Sequence, residues 1–317
     1  MATTGFSPYK NYANHGTEGL KDIIRTNYIV VSPVKDEERY IEDTIKSVIG
    51  QTITPSKWII VDDGSIDNTS KIIEKYCNNY HWIKLIRLRR DTQRQPGSAV
   101  IDAFNAGYEI IKDTDYDYIV KLDCDLRFNL DYFEGLISKF HENEKLGIAS
   151  GIYLEKRGDM WSVINMPSYH AAGASKMIRK ACFQQIDGFV SCRGWDTVDE
   201  IRAQTNSWET RHFEELKFYH LKTEGSGIGQ LRTNILHGEV FYLTGGSRFF
   251  LFLKIIHRIL FCRPLIIAGL MMFWGYLRPL IQKRKLLVNS EEAKFYKQLL
   301  NRRIFVKVRE LVPMKVK

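Results

Sequence analysis

The chain has 317 residues, of which 44% are hydrophobic and 26% are charged. This length and composition provide a large core, as one big domain or two small ones, and exclude a wholly disordered chain. The five cysteines include no CxxC pair. They therefore argue against a disulfide scaffold and a structural zinc site, and they favour a reducing compartment.

The net charge of +9 is unevenly distributed along the chain. Residues 249–317 contain 15 lysines and arginines but only 3 acidic residues, so residues 1–248 carry a small excess of acidic groups. A nucleic-acid-binding protein would not usually confine its basic residues in this way, so we expect no nucleic-acid partner. A basic, apolar tail is typical of contact with an anionic membrane surface.

Residues 1–26 are polar and predict a loosely held leader without a secretory signal. Strands and helices then alternate, with strand starts about thirty residues apart, which predicts a parallel sheet covered by helices. The predicted strands are Tyr28–Val34, Trp58–Val61, Ile83–Leu88 and Tyr118–Leu122, and the predicted helices cover residues 36–50, the segment around Ile72, Ile73 and Tyr76, and residues 98–112.

Residues 147–248 lose this alternation and predict an elaboration of the same sheet. The tail beyond them includes Pro264–Leu277, which has no charged residue. As a helix this run would span about 21 Å, which is shorter than the bilayer core of about 30 Å. We therefore predict an interfacial hairpin of amphipathic helices, anchored by Trp274, Tyr276 and the basic run Lys283–Lys285. The alternative is a helix pair buried within the globule.

Polar clusters follow three of the predicted strands, at Pro33–Glu38, Asp62–Ser65 and Asp123–Asp125. Ligands of open α/β sheets bind at the carboxyl ends of the strands, so the pattern predicts that the three clusters share one crevice. Ordinary turn chemistry is the alternative, because aspartate, glycine and serine are common in loops.

The carboxylates of Asp123 and Asp125 can be aimed at one Mg²⁺ or Mn²⁺ ion that bridges them to a diphosphate. An aspartate at the end of the second strand can accept a hydrogen bond from a nucleoside base, or the same segment can serve as a helix cap. Arg94 and the following helix N-terminus predict a diphosphate cradle, with an ordinary capped loop as the alternative.

Carboxylates around Trp195 are candidates for a general base, since such a base must reach an acceptor hydroxyl. They are Asp196, Asp199 and Glu200, and the alternative is an acidic first turn of a helix. His220 and His237 are each candidates for a third metal ligand or a phosphate contact, although a lone histidine is more often structural.

These motifs together resemble those of the family-two, inverting glycosyltransferases with the GT-A fold, over about residues 27–247. The motifs that carry the resemblance are, in order, V-S-P-V-K-D-E-E, V-D-D-G-S-I-D-N-T, R-Q-P-G-S-A with N-A-G, L-D-C-D, and D-G-F-x5-W-D-x2-D-E-I-R-A. The Gln-x-x-Arg-Trp motif of processive synthases is absent, and Gln230-Leu231-Arg232 is only a partial echo of it.

The resemblance implies a Rossmann-like, mostly parallel sheet flanked by helices, with a C-terminal amphipathic, apolar helical tail. Residues 27–126 would form the half that binds the nucleotide sugar, residues 127–248 the acceptor half, and residues 249–317 the membrane-associating tail. The residues implied to bind the donor are Pro33, Val34 and Glu37, with Asp62 or Asp63 at the nucleoside, Arg94 near the diphosphate, and Asp123 at the ribose and sugar.

The resemblance further implies that Asp125, together with Asp123, binds the divalent cation, and that His220 occupies a metal- or phosphate-binding position. Asp196 takes the place of the catalytic base, with Asp199 as its rival. The implied activity is metal-dependent, inverting transfer of a sugar from a nucleoside diphosphate sugar to a hydroxyl of a glycan or lipid-linked acceptor, at the cytoplasmic face of a membrane.

Two other functions fit parts of the pattern. A nucleotidyltransferase would carry a glycine-rich, lysine-containing loop after its first strand, but here that loop is Ser32–Glu37. A non-catalytic protein that binds sugar nucleotides within a membrane glycan assembly complex is the remaining alternative.

Overall fold

The computed structural model describes residues 26–88, 98–222, 229–262 and 264–311. Strands and helices alternate as far as β4, and the elements described after β9 are all helices. The strands are β1 (Tyr28–Val34), β2 (Lys57–Asp62), β3 (Ile83–Arg87), β4 (Tyr118–Leu122), β5 (Leu126–Phe128), β6 (Leu146–Arg157), β7 (Met160–Val163), β8 (Ser175–Arg179) and β9 (Glu209–His220). The helices are α1 (Ile41–Ile49), α2 (Thr69–Cys77), α3 (Ser98–Ile111), α4 (Tyr132–Glu142), α5 (Lys180–Gln185), α6 (Trp195–Thr205), α7 (Gln230–Leu243), α8 (Arg248–Phe261), α9 (Ile267–Ile281) and α10 (Ser290–Leu311).

The strands of the described residues form one sheet in the order β3-β2-β1-β4-β8-β6-β9-β5, with β7 paired to β6. The first four strands are parallel to one another. Strand β8 joins β4 in the antiparallel sense, and β6 and β9 pair in parallel beyond it. The predicted α/β fold is confirmed, and the strands after residue 146 extend the same sheet.

The parallel half of the sheet is buried on both of its faces. Successive residues of a strand point to opposite faces, so Val30 packs into the core on one face of the sheet and Val31 into the core on the other. Both side chains are fully buried. Continuous apolar runs are what a parallel sheet with two covered faces requires, which explains why β1 and β4 have the bounds predicted from the sequence.

The helix predicted over residues 36–50 begins later than expected, at Ile41. Asp36 adopts a φ of 54°, in the left-handed region, which is incompatible with a helix. Its backbone N–H donates to Ser65, and its carboxylate accepts from the N–H of Ile66. The loop after β1 is thereby tied to the loop after β2, and Glu37 stays outside the helix.

The helices of the tail pack closely against the rest of the molecule. Met272 of α9 and Tyr296 of α10 share a buried cluster with Val198 of α6. Helices α7 and α9 cross at two glycines, and a Cβ added to Gly275 would lie 2.0 Å from the carbonyl oxygen of Ile235. A larger residue there would separate the two helices.

Large apolar side chains are exposed along one side of the α8–α9 hairpin. They include Phe252, Ile256 and Leu260 on α8, and Leu270, Phe273 and Trp274 on α9. Tyr276, in contrast, packs against the ring of Tyr242 at 5.6 Å. No helix within the described part of the chain is both long enough and apolar enough to cross a membrane.

Candidate active site

The carboxyl ends of β1, β2 and β4 surround a cavity of about 160 Å³, which we call the strand-end cavity. Parallel strands end at the same edge of a sheet, so the three predicted polar clusters meet there. The predicted site residues that line it are Pro33, Val34, Glu37, Asp63, Asp123 and Asp125. Arg94 lies outside the described residues.

The two aspartates that end β2 have different surroundings. Asp62 is buried, its Oδ1 accepts a hydrogen bond from the N–H of Ser65 at 2.8 Å, and its Oδ2 accepts one from the hydroxyl of Ser70. Asp63 lines the strand-end cavity. Asp62 therefore closes the loop between β2 and α2, whereas Asp63 is placed to meet a ligand.

Asp123 ends β4 beside a buried lysine. Lys121 Nζ donates to Asp123 Oδ1 and, at 3.0 Å, to the carbonyl oxygen of Gly173. Burial raises the pKa of Asp123, the positive charge of Lys121 opposes this rise, and the nearby charge of Asp125 adds to it. The two carboxylates repel each other, so a cation between them would stabilise both.

His220, at the end of β9, lies between two carboxylates. Its Nε2 is 3.3 Å from Asp125 Oδ2, and its Nδ1 is 3.5 Å from Glu155 Oε1. Burial alone would lower the pKa of His220, but the hydrogen bond to Asp125 and the surrounding negative charges raise it to about 9. The imidazole is therefore protonated at neutral pH and donates to Asp125.

The strand-end cavity meets one chemical requirement of a divalent cation site. Asp125 Oδ1 is buried and has no hydrogen-bond partner among the described residues, so this oxygen is available to a cation. The same residues contain no group of three or more histidine, cysteine, aspartate or glutamate side chains that could hold a metal ion. Magnesium sites that include a substrate phosphate often use only one or two carboxylates.

A second cavity of about 270 Å³, the central cavity, adjoins the first. Asp123 and Val100 line both of them. The side chains of Tyr153, His170 and Asp196 line the far side of the central cavity. A molecule bound at the strand ends could therefore extend toward α6.

Two lysines on neighbouring strands flank Trp195. Lys121 of β4 and Lys176 of β8 are direct cross-strand partners, and each ammonium lies 5.2 Å from the indole centroid. Like charges placed directly opposite destabilise a sheet, so both need counter-charges. Lys121 is paired with Asp123, and Lys176 donates to Asp199 Oδ2 at 2.8 Å.

The two candidate bases on α6 differ in accessibility. Asp196 lines the central cavity, and its carboxylate makes no hydrogen bond or ion pair with any residue in the described part of the chain. The Asp199 side chain is 1% exposed and is paired with Lys176. Burial raises the pKa of Asp199 to about 7, although Lys176 opposes the rise. Asp196 is the carboxylate that a substrate can reach.

His170 and Glu200 form a pair that the sequence did not single out as a unit, in which Glu200 is buried and His170 is partly exposed. His170 Nδ1 is 3.0 Å from Glu200 Oε2, and the N–H of Ala171 donates to Glu200 Oε1 at 2.8 Å. Burial would lower the pKa of His170, but the charge of Glu200 outweighs it and raises the pKa. Lys121 and Lys176 were also missed. The available signal was the lysine inside the apolar run of β4, whereas β8 is mixed in polarity and offered no such signal.

A third cavity of about 430 Å³, the helix-side cavity, lies between the sheet and the helical tail. It shares Asp196, His170 and Tyr153 with the central cavity. Its far wall includes Lys254 of α8 and Arg303 of α10. The three cavities thus lead from the strand ends, past Asp196, to the tail.

The chain is similar to known proteins in sequence and in fold. Poly-beta-1,6-N-acetyl-D-glucosamine synthase of Staphylococcus aureus (strain COL) is 34% identical over 116 residues, which is 37% of this chain but 26% of that protein. The chain thus spans about a quarter of the length of this relative.

Solved structures show the same fold. The mannosyltransferase PcManGT of Pyrobaculum calidifontis, in complex with GDP-Man and Mn²⁺, aligns over 92% of this chain and 88% of its own, with a TM-score of 0.54 and 12% identity. S. aureus TarS 1-349, in complex with UDP-GlcNAc, aligns over 86% and 78%, with a TM-score of 0.51 and 17% identity. The α/β sheet flanked by helices is thus the GT-A fold.

The sequence profile of glycosyl transferase family 2 matches residues 29–195, which is more than half of the chain and contains the strand ends, both aspartates of the Asp123–Asp125 motif and the start of α6. The chain therefore belongs to glycosyl transferase family 2 and carries a glycosyltransferase domain with the GT-A fold.

Proposed function

We propose that this protein transfers a sugar from a nucleoside diphosphate sugar to a hydroxyl of a glycan or lipid-linked acceptor, in one inverting displacement. The observation that carries the proposal is the line of three cavities, because it joins the polar strand ends to the accessible carboxylate of Asp196. Donor and acceptor would enter from opposite ends and meet at the central cavity.

The donor nucleotide would occupy the strand-end cavity. Glu37 and Asp63 would contact the nucleoside beside Pro33 and Val34, and Asp123 would contact the ribose and sugar, since all five line this cavity. We assign Arg94 to the diphosphate. UDP-GlcNAc and GDP-mannose, the donors present in complexes of the structural neighbours, are the first donors to test.

Asp125 and Asp123 would hold a Mg²⁺ or Mn²⁺ ion, with phosphate and water oxygens in the remaining positions. The chemistry that the bound ion would supply is neutralisation of the charge on the departing diphosphate. The partnerless Oδ1 of Asp125 supports this assignment, as does the Mn²⁺ present in the complex of PcManGT. His220 would orient Asp125 through their contact and would lie near the metal or the phosphates.

Asp196 would be the general base that takes the proton of the acceptor hydroxyl as the oxygen attacks the anomeric carbon. The nucleoside diphosphate leaves from the opposite face, so one step inverts the configuration. The salt bridge with Lys176 supports a structural role for Asp199, because a carboxylate that pairs with a buried lysine is not positioned to accept a substrate proton.

A thermal-shift panel of nucleoside diphosphates, with and without Mn²⁺, tests the donor site. We expect one nucleotide to stabilise the wild type only when Mn²⁺ is present, and Asp125→Ala to abolish that stabilisation. Asp131→Ala, an exposed aspartate at the start of α4, is the control. The assignment of this site is wrong if no nucleotide gives a shift.

Sugar transfer to water or to a glycan tests the base. We expect Asp196→Asn to lower the rate by about 10²–10⁴-fold while the nucleotide shift is retained. Asp199→Asn should mainly lower stability. A wild type that binds the nucleotide but neither hydrolyses nor transfers the sugar would instead support the non-catalytic alternative.

We also propose that the tail associates with the cytoplasmic face of a membrane. The exposed apolar side chains of α8 and α9, together with the exposed cations Lys283 and Lys285, support an interfacial position. The wild type should float with anionic phosphatidylglycerol vesicles, and the double variant Phe252→Ser/Phe273→Ser should not. Ile66→Ser, which removes an exposed apolar side chain far from the tail in sequence, is the control, and equal flotation of all three proteins would contradict the assignment.

A further inference from the structure

One side of α8 faces inward, toward the helix-side cavity. Phe250, Lys254 and Arg258 are spaced four residues apart and therefore lie along one side of the helix. Phe250 and Lys254 line the cavity, and Arg258 donates to Asn234 and approaches His237 Nδ1 at 3.1 Å. The exposed apolar residues of α8 lie on a different side. Lys254 and Arg258 are thus not part of the outward surface that the sequence assigned to membrane contact.

Lys254 has no counter-charge among the residues that the structure describes. It makes no hydrogen bond or ion pair with any residue that the structure describes, and its ammonium lies 6.0 Å from the ring centroid of Phe241. Burial lowers the pKa of Lys254 to about 8, and the positive charges of Arg258 and Arg303 add to this effect. The nearest strong charges have the same sign as its own.

Arg303 approaches the same space from α10. Its guanidinium donates to the hydroxyl of Tyr169 at 3.2 Å and lies 5.5 Å from the ring centroid of Phe250. It forms no ion pair with a carboxylate in the described part of the chain. Two partly desolvated cations therefore line one end of the cavity, between aromatic walls.

The other charged groups of the cavity do not neutralise this end. Glu200 is already held by His170 and Lys176, and Asp196 lies where the cavity joins the central cavity. His237 is neutral at pH 7, because burial and the charge of Arg258 lower its pKa to about 4. The cavity thus has a basic end at the tail and an acidic end at α6. Cations buried without partners are costly, and an anionic ligand would offset that cost.

We propose that Lys254 and Arg303 form a subsite for a phosphate group carried by the acceptor. This inference rests on the proposed function in one respect, which is that Asp196 marks the position of the acceptor hydroxyl. The phosphate would bind at the tail end of the cavity and hold the hydroxyl toward Asp196. The phosphate can belong to a lipid or to a soluble sugar phosphate, and the same two side chains would recognise either.

The direct test follows the titration of Lys254 by NMR of the full chain carrying ¹³C-labelled lysine, with the resonance assigned by its loss in Lys254→Gln. Saturating phenyl phosphate should raise the pKa of Lys254 by about one unit or more, as a bound anion does for a nearby ammonium. Phenol, which lacks the charge, should not. An unchanged Lys254 pKa with phenyl phosphate overturns the proposal.

Matched variants test the second cation. Arg303→Gln should weaken phenyl phosphate binding at Lys254 by about tenfold or more, because it removes a charge-assisted hydrogen bond to the phosphate. Arg302→Gln, an exposed neighbour on the same helix, should leave it unchanged. Equal effects of the two substitutions would show that only the overall charge matters, and would refute a specific subsite.

Two further experiments identify the source of the phosphate. Weaker binding to phosphatidic acid vesicles, at unchanged binding to phosphatidylglycerol vesicles, in Lys254→Gln but not in Lys297→Gln, an exposed lysine of α10, supports a lipid phosphate. A Lys254 shift with glucose 6-phosphate, but no vesicle effect, supports a soluble one, and no response to either probe counts against the subsite. The nucleotide thermal shift is measured on the same proteins. Its absence in the wild type would reject the proposed function while the Lys254 titration still reports on the anion.

Discussion

The substitution Lys176→Met should strongly destabilise the protein. Lys176 is fully buried. Its ammonium donates to Asp199 Oδ2 at 2.8 Å and to the carbonyl oxygen of Asp196 at 3.1 Å, and it lies 3.4 Å from Glu200 Oε1. Methionine keeps most of the side-chain length but leaves two buried carboxylates without their shared cation. Breaking a buried ion pair in this way costs about 3–5 kcal/mol.

For a domain of this size, each kcal/mol lowers Tm by about 2–4 °C, so the expected loss is about 6–20 °C. The assay is thermal and urea unfolding followed by circular dichroism. Lys57→Met, which removes an exposed lysine from β2, should change the free energy of unfolding by less than about 0.5 kcal/mol.

Two results would refute this reasoning. One is a free energy of unfolding within about 1 kcal/mol of the wild type, which would mean that the lysine does not compensate the carboxylates. The other is an additive effect of Asp199→Asn in the Lys176→Met background, because removing one carboxylate should partly restore stability there. Burial raises the pKa of Asp199 to about 7, so the cost of Lys176→Met should also be smaller at pH 6 than at pH 8.

Three other substitutions have separate expected outcomes. Gly275→Ala places a Cβ against the carbonyl oxygen of Ile235 and should lower the free energy of unfolding by about 1–3 kcal/mol, measured in urea. His170→Gln removes an imidazole whose folded-state pKa is raised, so the Tm advantage of the wild type should be complete below pH 6.5 and decline as pH rises through that raised pKa. Asp63→Asn should weaken nucleotide binding, because Asp63 lines the strand-end cavity. Asp62→Asn should weaken it less and should lower the free energy of unfolding by about 1–3 kcal/mol.

Each of these predictions has a control or a contrary result. Gly135→Ala, where the added Cβ would meet only the flexible end of Leu216, should cost less than Gly275→Ala. His81→Gln, at an exposed histidine, should show no pH-dependent difference. Equal effects of the Asp62 and Asp63 substitutions on nucleotide binding would contradict their different orientations.

The sequence was most informative where one cause dominates the local structure. Strands β1 and β4 are continuous apolar runs covered on both faces, so their bounds were predicted at both ends. The position of the strand-end cavity followed from parallel topology alone. The predicted start of α1 was wrong, because the conformation of Asp36 depends on hydrogen bonds to a loop about thirty residues away.

The basic residues of the tail show a second limit of sequence patterns. The three- and four-residue spacing of Lys254, His257 and Arg258 is that of neighbours on a helix surface, yet His257 is exposed whereas Lys254 and Arg258 are partly buried. Charge content alone does not distinguish a cation that faces solvent from one that faces a cavity. That distinction comes from α7 and α10, which cover the inner side of α8.

Helical periodicity alone cannot distinguish Asp196 from Asp199 as the candidate base. The two carboxylates are three positions apart on α6, so periodicity places them on the same side of the helix. What separates them is Lys176, which reaches from β8 and bonds the carboxylate of Asp199 but only the backbone carbonyl of Asp196. The lysine neutralises one aspartate and leaves the other facing two cavities. The salt bridge of Lys176 therefore separates a paired carboxylate at Asp199 from one at Asp196 that lines both cavities.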